Sequence, residues 1–223
     1  MVTQQESMNL IERHRWALFL AGVVVVTTII GLVRLSGDAE PARTTSLTSS
    51  VALDDDGSVD VVQRITFTPP RSRLTVSIPV RRAPVRQFGP RIDALSVRVD
   101  GTVVPGPTTP MRVGETRTLT FAEPATSVVL SYSAVGAIAS TQPSASGRAL
   151  ALLTPLTIDE PASLRSRLEI GDDGVLNLGC TTVDESSIAC GSDAGGRWEV
   201  VRGPDDDVVD VVAQVNLLEA PIP

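Results

Sequence analysis

The sequence predicts an all-β fold, an antiparallel β-sandwich of two packed units, with one N-terminal transmembrane α-helix in front of it. Valine and threonine are abundant, while aromatic residues make up only 3% of the 223 residues, and such a composition favours strands over helices. Short runs of alternating apolar and polar residues recur after residue 46 and are separated by Asp-Gly pairs, which is the pattern of hairpin-connected strands. Residues 16–33 form a long and strongly apolar stretch without charge.

Residues 16–35 are predicted to form the membrane span. The first 18 of them carry no charge and would reach about 27 Å as a helix, close to the roughly 30 Å of the hydrocarbon core of a bilayer. Arg13 and Arg15 directly precede the span, whereas acidic residues soon follow it. The positive-inside rule therefore places residues 1–15 in the cytoplasm and residues 36–223 outside it.

Cleavage as a signal peptide is the alternative. The best small-x-small site behind the apolar segment ends at Ala39 and carries an acid in its middle, and the apolar segments of signal peptides usually have only about 7–15 residues. We therefore expect a retained anchor and a single-pass protein of the cell membrane. A secreted β-sandwich, released by cleavage after Ala39, stays open.

Small residues form one face of the predicted span. Ala17, Ala21, Thr28 and Gly31 fall on a nearly straight line along a helix, and small side chains let the backbones of two membrane helices approach each other closely. This face is a candidate helix-packing seam. Small residues are also common in membrane helices generally, which is the simpler interpretation.

A polar linker at residues 36–45 is followed by a series of predicted strands. Their alternating apolar positions are Val59, Val61, Ile65 and Phe67; Leu74, Val76, Ile78 and Val80; Leu95, Val97 and Val99; Leu119 and Phe121; Val128, Leu130 and Tyr132; and Val209, Val211, Ala213, Val215 and Leu217. Gln63 is the one polar residue on the first of these inward faces. Hairpin turns are predicted at three Asp-Gly pairs, Asp56-Gly57, Asp100-Gly101 and Asp173-Gly174.

The charge balance shifts at residue 159. Residues 159–223 contain 14 acidic residues and four arginines, and we place a boundary there, between a larger β-sandwich at residues 46–158 and a second β unit with a disulfide hairpin. One elongated sandwich is the alternative. Cys180 and Cys190 are the only cysteines and are expected to form a disulfide, because both lie on the predicted oxidising side of the membrane.

Four stretches resemble the β-rich ectodomain of a family of predicted bacterial membrane proteins of unknown function. They are VALDDDGSVDVVQRITF, RLTVSIPVRR, IDALSVRVDG and VVLSYSAVGAI, within about residues 46–139. Gln63 stands where the family pattern has a glutamate, and the sequence has no counterpart of the downstream membrane helices of that family. The resemblance implies an envelope protein with a sandwich ectodomain and implies no particular chemistry.

The composition argues against an enzyme. The single histidine, His14, falls in the predicted cytoplasmic tail and there is no lysine, so the outer region cannot build a Ser-His-Asp, Cys-His or Ser-Lys centre. The net charge of −7 argues against nucleic-acid binding. The acidic runs 54–56 and 205–207 could bind calcium, but we expect solvated turn residues there. No cofactor, metal site or catalytic residue is predicted.

The most informative cluster is basic. Six arginines fall between residues 71 and 91, a segment that contains no acid. A proline-stiffened loop in this segment could grip an acidic partner surface, anionic lipid headgroups or an anionic envelope polymer. The candidate binding residues are Arg81, Arg82, Arg86, Arg91 and Phe88. Self-pairing of these arginines with the acids of residues 159–223 is the alternative.

We therefore expect a non-enzymatic, single-pass membrane protein that serves as an accessory or scaffold subunit of a bacterial cell-envelope membrane complex. A binding module for anionic envelope polymer or lipid headgroups is the second hypothesis, and a secreted sandwich is the third. The expected partners are the membrane itself and another membrane protein, with the lipid or polymer as the alternative ligand.

Overall fold

The computed structural model describes residues 44–216, apart from positions 55, 83, 141–146, 160–163, 172, 173 and 194. Within these residues every regular element is a strand, except for one short 3₁₀ turn, so the all-β prediction is confirmed. The described part contains no helix that is long and apolar enough to cross a membrane. The predicted cytoplasmic tail, membrane span and packing seam, and most of the linker, lie outside the described residues.

The strands follow one another along the chain at short intervals. They are β1 (Thr44–Leu53), β2 (Val59–Ser77), β3 (Arg91–Val99), β4 (Thr102–Val104), β5 (Met111–Arg112), β6 (Thr116–Val135), β7 (Ile138–Ser140), β8 (Arg148–Leu152), β9 (Thr157–Ile158), β10 (Leu164–Ile170), β11 (Val175–Thr182), β12 (Ser187–Ala189), β13 (Ser192–Asp193), β14 (Trp198–Arg202) and β15 (Val208–Asn216). The 3₁₀ turn is Val85–Gln87.

The described strands form two sheets. The larger sheet has the spatial order β13-β14-β10-β1-β2-β6-β3-β4, with β5 attached to β3 and β9 attached to β2. The smaller sheet has the order β12-β11-β15-β8-β7. All pairs are antiparallel except β1 with β10, which is parallel. The sandwich, which was predicted to be antiparallel, therefore contains one parallel pair of strands among those described.

The two sheets share one hydrophobic core. In β15, Val211, Ala213 and Val215 are fully buried while the residues between them are half-buried, as the alternating pattern predicts. The buried side chains of both sheets belong to a single cluster, as expected for sheets packed face to face. Val80 and Val209 were predicted to point inward but are exposed. Val80 lies beyond the end of its strand, and Val209 lies at the start of β15.

β1 precedes the predicted hairpin turn at Asp56-Gly57, but no alternating apolar run marks it in the sequence. Its inward positions are Thr45, Leu47, Ser49 and Val51, all buried. Because two of these four side chains are small and polar, the apolar alternation that marks the other strands is weak here. The pairing of β1 with β2 on one side and β10 on the other makes it a central strand all the same.

β2 and β6 are long strands that curl. The sequence pattern predicts two strands in place of each, but each continues through a shift in pairing register between Thr66 and Arg73. Pro69 and Pro70 occupy that shift, where no ladder hydrogen bond requires a backbone N–H. The 20 residues of β6 would span about 63 Å if straight. Val135, at the end of β6, pairs with Arg91 of β3, and so does Arg112 of β5, the strand just before β6. The ribbon formed by β2 and β6 therefore bends back on itself.

The boundary predicted at residue 159 does not separate two units. β1 pairs with β10, and β8 pairs with β15, so each sheet combines strands from both sides of the boundary. The described residues form one compact unit. The arrangement corresponds to the elongated single sandwich. Acid content is a property of the surface, whereas the division of a chain into domains depends on which strands pair.

Candidate functional site: a groove between Arg91 and Arg112

Arg81 lies inside the protein, not on an exposed loop as predicted. Its Nε donates to Oδ1 of Asp210 at 2.8 Å, and both side chains are nearly completely buried. Its Nη2 donates to the carbonyl oxygens of Thr154 and Pro155 at 2.9 and 3.1 Å, and Nη1 reaches the carbonyl oxygen of Pro79 at 3.3 Å. A buried charge is tolerated when it is paired and its donors are satisfied. Arg81 therefore joins the segment after β2 to the smaller sheet and presents nothing to a partner.

The other predicted binding residues are divided among different environments. Phe88 is buried in the core, so it anchors its loop and is not a contact residue. Arg82 is exposed and reaches Glu185 at 3.4 Å, and Arg86 is exposed on the 3₁₀ turn. The acids that pair with Arg81 and Arg82 both come from residues 159–223, which corresponds to the self-pairing alternative.

Arg91 lies apart from these residues and next to a second arginine, Arg112. At the start of β3 it lies directly opposite Arg112 of β5 and, on its other side, opposite Val135 of β6. These residues border a shallow groove of about 370 Å³. The groove is lined by Gly89, Pro90, Arg91, Arg112, Val113, Val135 and Gly136. Its two long cations and its exposed valines give it a mixed basic and apolar character.

The two arginines of the groove are held differently. Asp93, two residues along the same strand, receives Nε and Nη2 of Arg91 at 2.8 and 2.9 Å. This bidentate pair fixes the plane of the Arg91 guanidinium and leaves its remaining N–H groups free for another acceptor. Arg112 is exposed and forms no ion pair with any described residue. Its charge is the one that the groove offers to a ligand.

Two glycines form the floor of the groove by close backbone contact. Gly89 donates its N–H to the carbonyl oxygen of Gly136 at 3.2 Å. Gly136 has a φ of 75°, and a Cβ at this position would lie 2.7 Å from the carbonyl oxygen of Gly89. Only glycine avoids both the strained conformation and this clash. The loop that carries the predicted cluster is thereby held against the end of β6.

The sequence could place only part of this groove. It named Arg91 for its position in the basic cluster, but Arg112 lies 21 residues further along the chain, in an unremarkable segment. The only local pattern that could have indicated a strand at Arg112 is the Met111-Arg112-Val113 run between turn residues. The curl of β6 brings the two arginines together, and no local pattern reports that curl.

The remaining predicted features fall outside the groove. Cys180 and Cys190 form a disulfide with a Cα–Cα distance of 5.7 Å, so that prediction is confirmed. Asp56 and Asp206 accept backbone N–H groups within their own turns, from Ser58 and Gly203. Among the described residues no three His, Cys, Asp or Glu side chains group in a way that could hold a metal ion.

Comparisons with known proteins give only distant structural similarity. No protein-family model matches the sequence, and no curated protein matches it. A solved aminopeptidase N family protein from Idiomarina loihiensis is 12% identical with a TM-score of 0.44, over 76% of this chain and 29% of that one. An M1 zinc metallopeptidase from Deinococcus radiodurans is 15% identical with a TM-score of 0.28, over 77% of this chain and 41% of that one. The chain thus spans less than half the length of these proteins, and similarity at this level says nothing about its activity.

Proposed function

We propose that this chain is a non-enzymatic, membrane-anchored accessory subunit of a cell-envelope complex, and that its β-sandwich docks an acidic segment of a partner protein in the Arg91–Arg112 groove. The observation that carries the proposal is the pairing of an uncompensated arginine with an oriented one, directly opposite each other at the edge of a groove with apolar walls. Membrane anchoring rests on the sequence of residues 16–35.

The shape and chemistry of the groove suit a protein side chain and not a substrate. It is shallow and open, and two of its walls are Val113 and Val135, which are 38% and 46% exposed. Arginine is enriched at protein interfaces, where it combines charge with apolar stem contacts. A carboxylate of the partner would accept N–H groups from Arg112 and from the outer edge of Arg91, while neighbouring apolar atoms would cover the valines.

The groove also lies far from the point where the described chain begins. Thr44 pairs with Thr68 at one end of the sheet, whereas Arg91 pairs with Val135 at the end where β1 finishes. The length of β1 separates these ends by about 30 Å. A partner that docks in the groove therefore contacts the end of the sheet opposite Thr44.

A site-specific crosslinking experiment in membranes tests the proposal. We expect a photoreactive residue at Val113 of the full chain to capture a defined protein, and the same residue at Val183, which is exposed elsewhere, to capture none. Arg112→Gln should reduce the captured protein by roughly tenfold or more, because an arginine at the centre of an interface contributes about 2 kcal/mol or more. Arg73→Gln, another exposed arginine, is the matched control and should leave capture unchanged.

Three results would contradict the proposal. They are capture of lipid alone at Val113, equal capture at both positions, and equal loss with Arg73→Gln. The intact mass of the membrane-extracted chain checks the anchor separately, because cleavage after Ala39 would remove residues 1–39.

A further inference from the structure

Arginines also occupy the open face of the larger sheet. Arg64 of β2, Arg98 of β3 and both Arg165 and Arg167 of β10 are exposed and point away from the core. They are distant in sequence and come from three different strands. Only the sheet brings them onto one surface.

The register of the sheet aligns three of these arginines. Arg167 pairs with Thr48, Thr48 pairs with Arg64, Arg64 pairs with Val129, and Val129 pairs with Arg98. Directly paired residues point to the same face. Neighbouring strands lie about 4.8 Å apart, so the arginines, on every second strand, recur at about 10 Å and span about 19 Å. The row runs across the strands.

Short, uncharged side chains cover the surface between the arginines. Thr48 and Val129 separate the arginines within the row, and the next row toward Arg165 continues through Ser46, Thr66 and Ser127. None of these side chains is long enough to divide the row into separate pockets. A compact anion would therefore meet one arginine at a time, whereas an extended chain lying across the strands could meet all of them.

The arginines of this face differ in their ion pairs. Arg64, Arg98 and Arg165 form no ion pair with any described residue, while Arg167 is held by Glu169 and Glu199 at 2.9 and 3.0 Å. Asp100 lies next to Arg98 along the same face, but its carboxylate accepts the backbone N–H groups of Thr126 and Ser127. Arg64 and Arg98 thus carry the unpaired positive charge of the row, while Asp60, Asp100, Glu169 and Glu199 are the acids on the same face.

Aromatic side chains are absent from this face among the described residues. Phe67, Phe121 and Tyr132 are buried on the core side, and Trp198 pairs with buried Ile170. Nucleic acid bases and sugar rings are usually bound by stacking on exposed aromatic rings. A polymer on this surface would therefore be recognised by its anionic groups and not by its rings.

We propose that the open face of the larger sheet binds a linear phosphate-bearing polymer that lies across the strands along the Arg167–Arg64–Arg98 row. Arginine guanidinium groups bind phosphate oxygens in a bidentate manner, and their regular spacing suits a ligand with repeated anionic groups. This surface is independent of the groove proposed for a protein partner, so either proposal can fail without the other.

Binding of inorganic polyphosphate to the full chain in uncharged detergent micelles tests the proposal. We expect affinity to rise steeply once the polymer can span about 19 Å, the width that the strand spacing gives the row, and tripolyphosphate to bind weakly. Replacing Arg64 and Arg98 by Gln should weaken binding of the long polymer at least tenfold at low salt. The slope of log K against log salt should also fall by about 1.5, because two phosphate contacts are lost.

Control variants and competing ligands decide between the outcomes. Arg197→Gln, an exposed arginine away from the row, should leave polyphosphate binding unchanged, and all variants should melt like the parent chain. Equal loss with this control, or tripolyphosphate binding as tightly as long chains, would overturn the proposal. A single-stranded oligonucleotide that binds more tightly than polyphosphate of equal charge would also overturn it, because the ligand would then be nucleic acid.

Discussion

At the scale of single residues, a small polar cluster inside the sandwich shows how a charge is accommodated in an apolar core. Arg81 and Asp210 are 129 residues apart in sequence and meet in the interior. Nearby, Gln63 donates its side-chain N–H to the carbonyl oxygen of Leu156 at 3.3 Å. Gln63 is the one polar residue on the predicted inward face of its strand. Its hydrogen bond links β2 to the segment before β9.

Tyr132 belongs to the same region, and its environment controls its ionisation. Burial raises the pKa of the Tyr132 phenol well above its ordinary value, and the backbone of Leu156 and the positive charge of Arg81 offset this only in part. The phenolate would have to form in the core. We therefore expect the folded protein to keep this group neutral at pH values where an exposed tyrosine ionises.

The first prediction is that stability falls above about pH 10 because of Tyr132. The phenol ionises near pH 10 in the unfolded chain but stays protonated in the folded one, so the unfolded state binds fewer protons above that pH. Stability is then fully present below pH 10 and is lost by up to about 1.4 kcal/mol per pH unit above it. Melting of the full chain between pH 8 and about 11, with Tyr132→Phe as the matched variant, measures the effect.

The composition makes this experiment clean. Tyr132 is the only tyrosine, so the absorbance of phenolate reports this one residue. The chain also has no lysine, so no lysine amine titrates in the same pH range. The melting temperature of Tyr132→Phe should change little over the range in which that of the parent chain falls. Phenolate absorbance that appears near pH 10 in the folded protein would contradict the prediction.

At the scale of elements, the weakest parts of the fold are its short edge strands. β12 has three residues, all exposed, and pairs with β11 through only three positions. Cys190, directly after β12, is tied by the disulfide to Cys180 within β11. The cross-link thus compensates for the small number of contacts that hold this edge.

The second prediction is that reduction of the disulfide destabilises the protein and loosens β12 first. Closing a loop of about ten residues lowers the entropy of the unfolded chain by an amount worth about 2–3 kcal/mol. For a chain of this size the melting temperature should fall by roughly 5–10 °C. Thermal unfolding with and without reductant measures this, and amide exchange should show the earliest loss of protection in Ser187–Ala189.

A double variant controls for effects of the reductant itself. The Cys180→Ala, Cys190→Ala protein should melt at one temperature in both conditions, near that of the reduced parent chain. A parent chain that melts at the same temperature with and without reductant would show that the cross-link adds no stability.

At the scale of the whole molecule, β1 decides that there is one sandwich. It lies between β2 and β10 and gives the larger sheet its single parallel pair, while β15 of the later chain pairs with β8 of the earlier chain. Neither sheet can form completely from residues before or after 159. The Arg81–Asp210 pair crosses the same point.

The third prediction is that residues 46–158 do not fold alone. Such a fragment leaves β1 without β10 and β8 without β15, and it leaves Arg81 without its carboxylate. Loss of one partner of a buried ion pair alone costs about 3–5 kcal/mol, a large part of the stability of a typical domain. The fragment should show no cooperative thermal transition by circular dichroism, whereas the full chain should unfold in one transition. A fragment that melts cooperatively would restore the two-unit organisation.

The sequence alone determined the features that depend on neighbours along the chain. The alternation of Val128, Leu130 and Tyr132 predicted a strand and its buried face because successive side chains point to opposite sides. Asp100-Gly101 predicted a hairpin turn because both positions adopt positive φ, as the structure shows. The disulfide followed from there being only two cysteines. Part of the groove, Arg91, was found in the same local manner.

Tertiary structure alone decided where the charges lie and which strands meet. The basic cluster reads as one exposed loop, yet Arg81 is inside the protein and Arg112 replaces it at the groove. Arg64 and Arg98 share a row because β6 lies between their strands. The physical reason is common to all of these cases: strand register and the burial of a charge are settled by partners more than twenty residues away, and neither leaves a periodic trace in the local sequence.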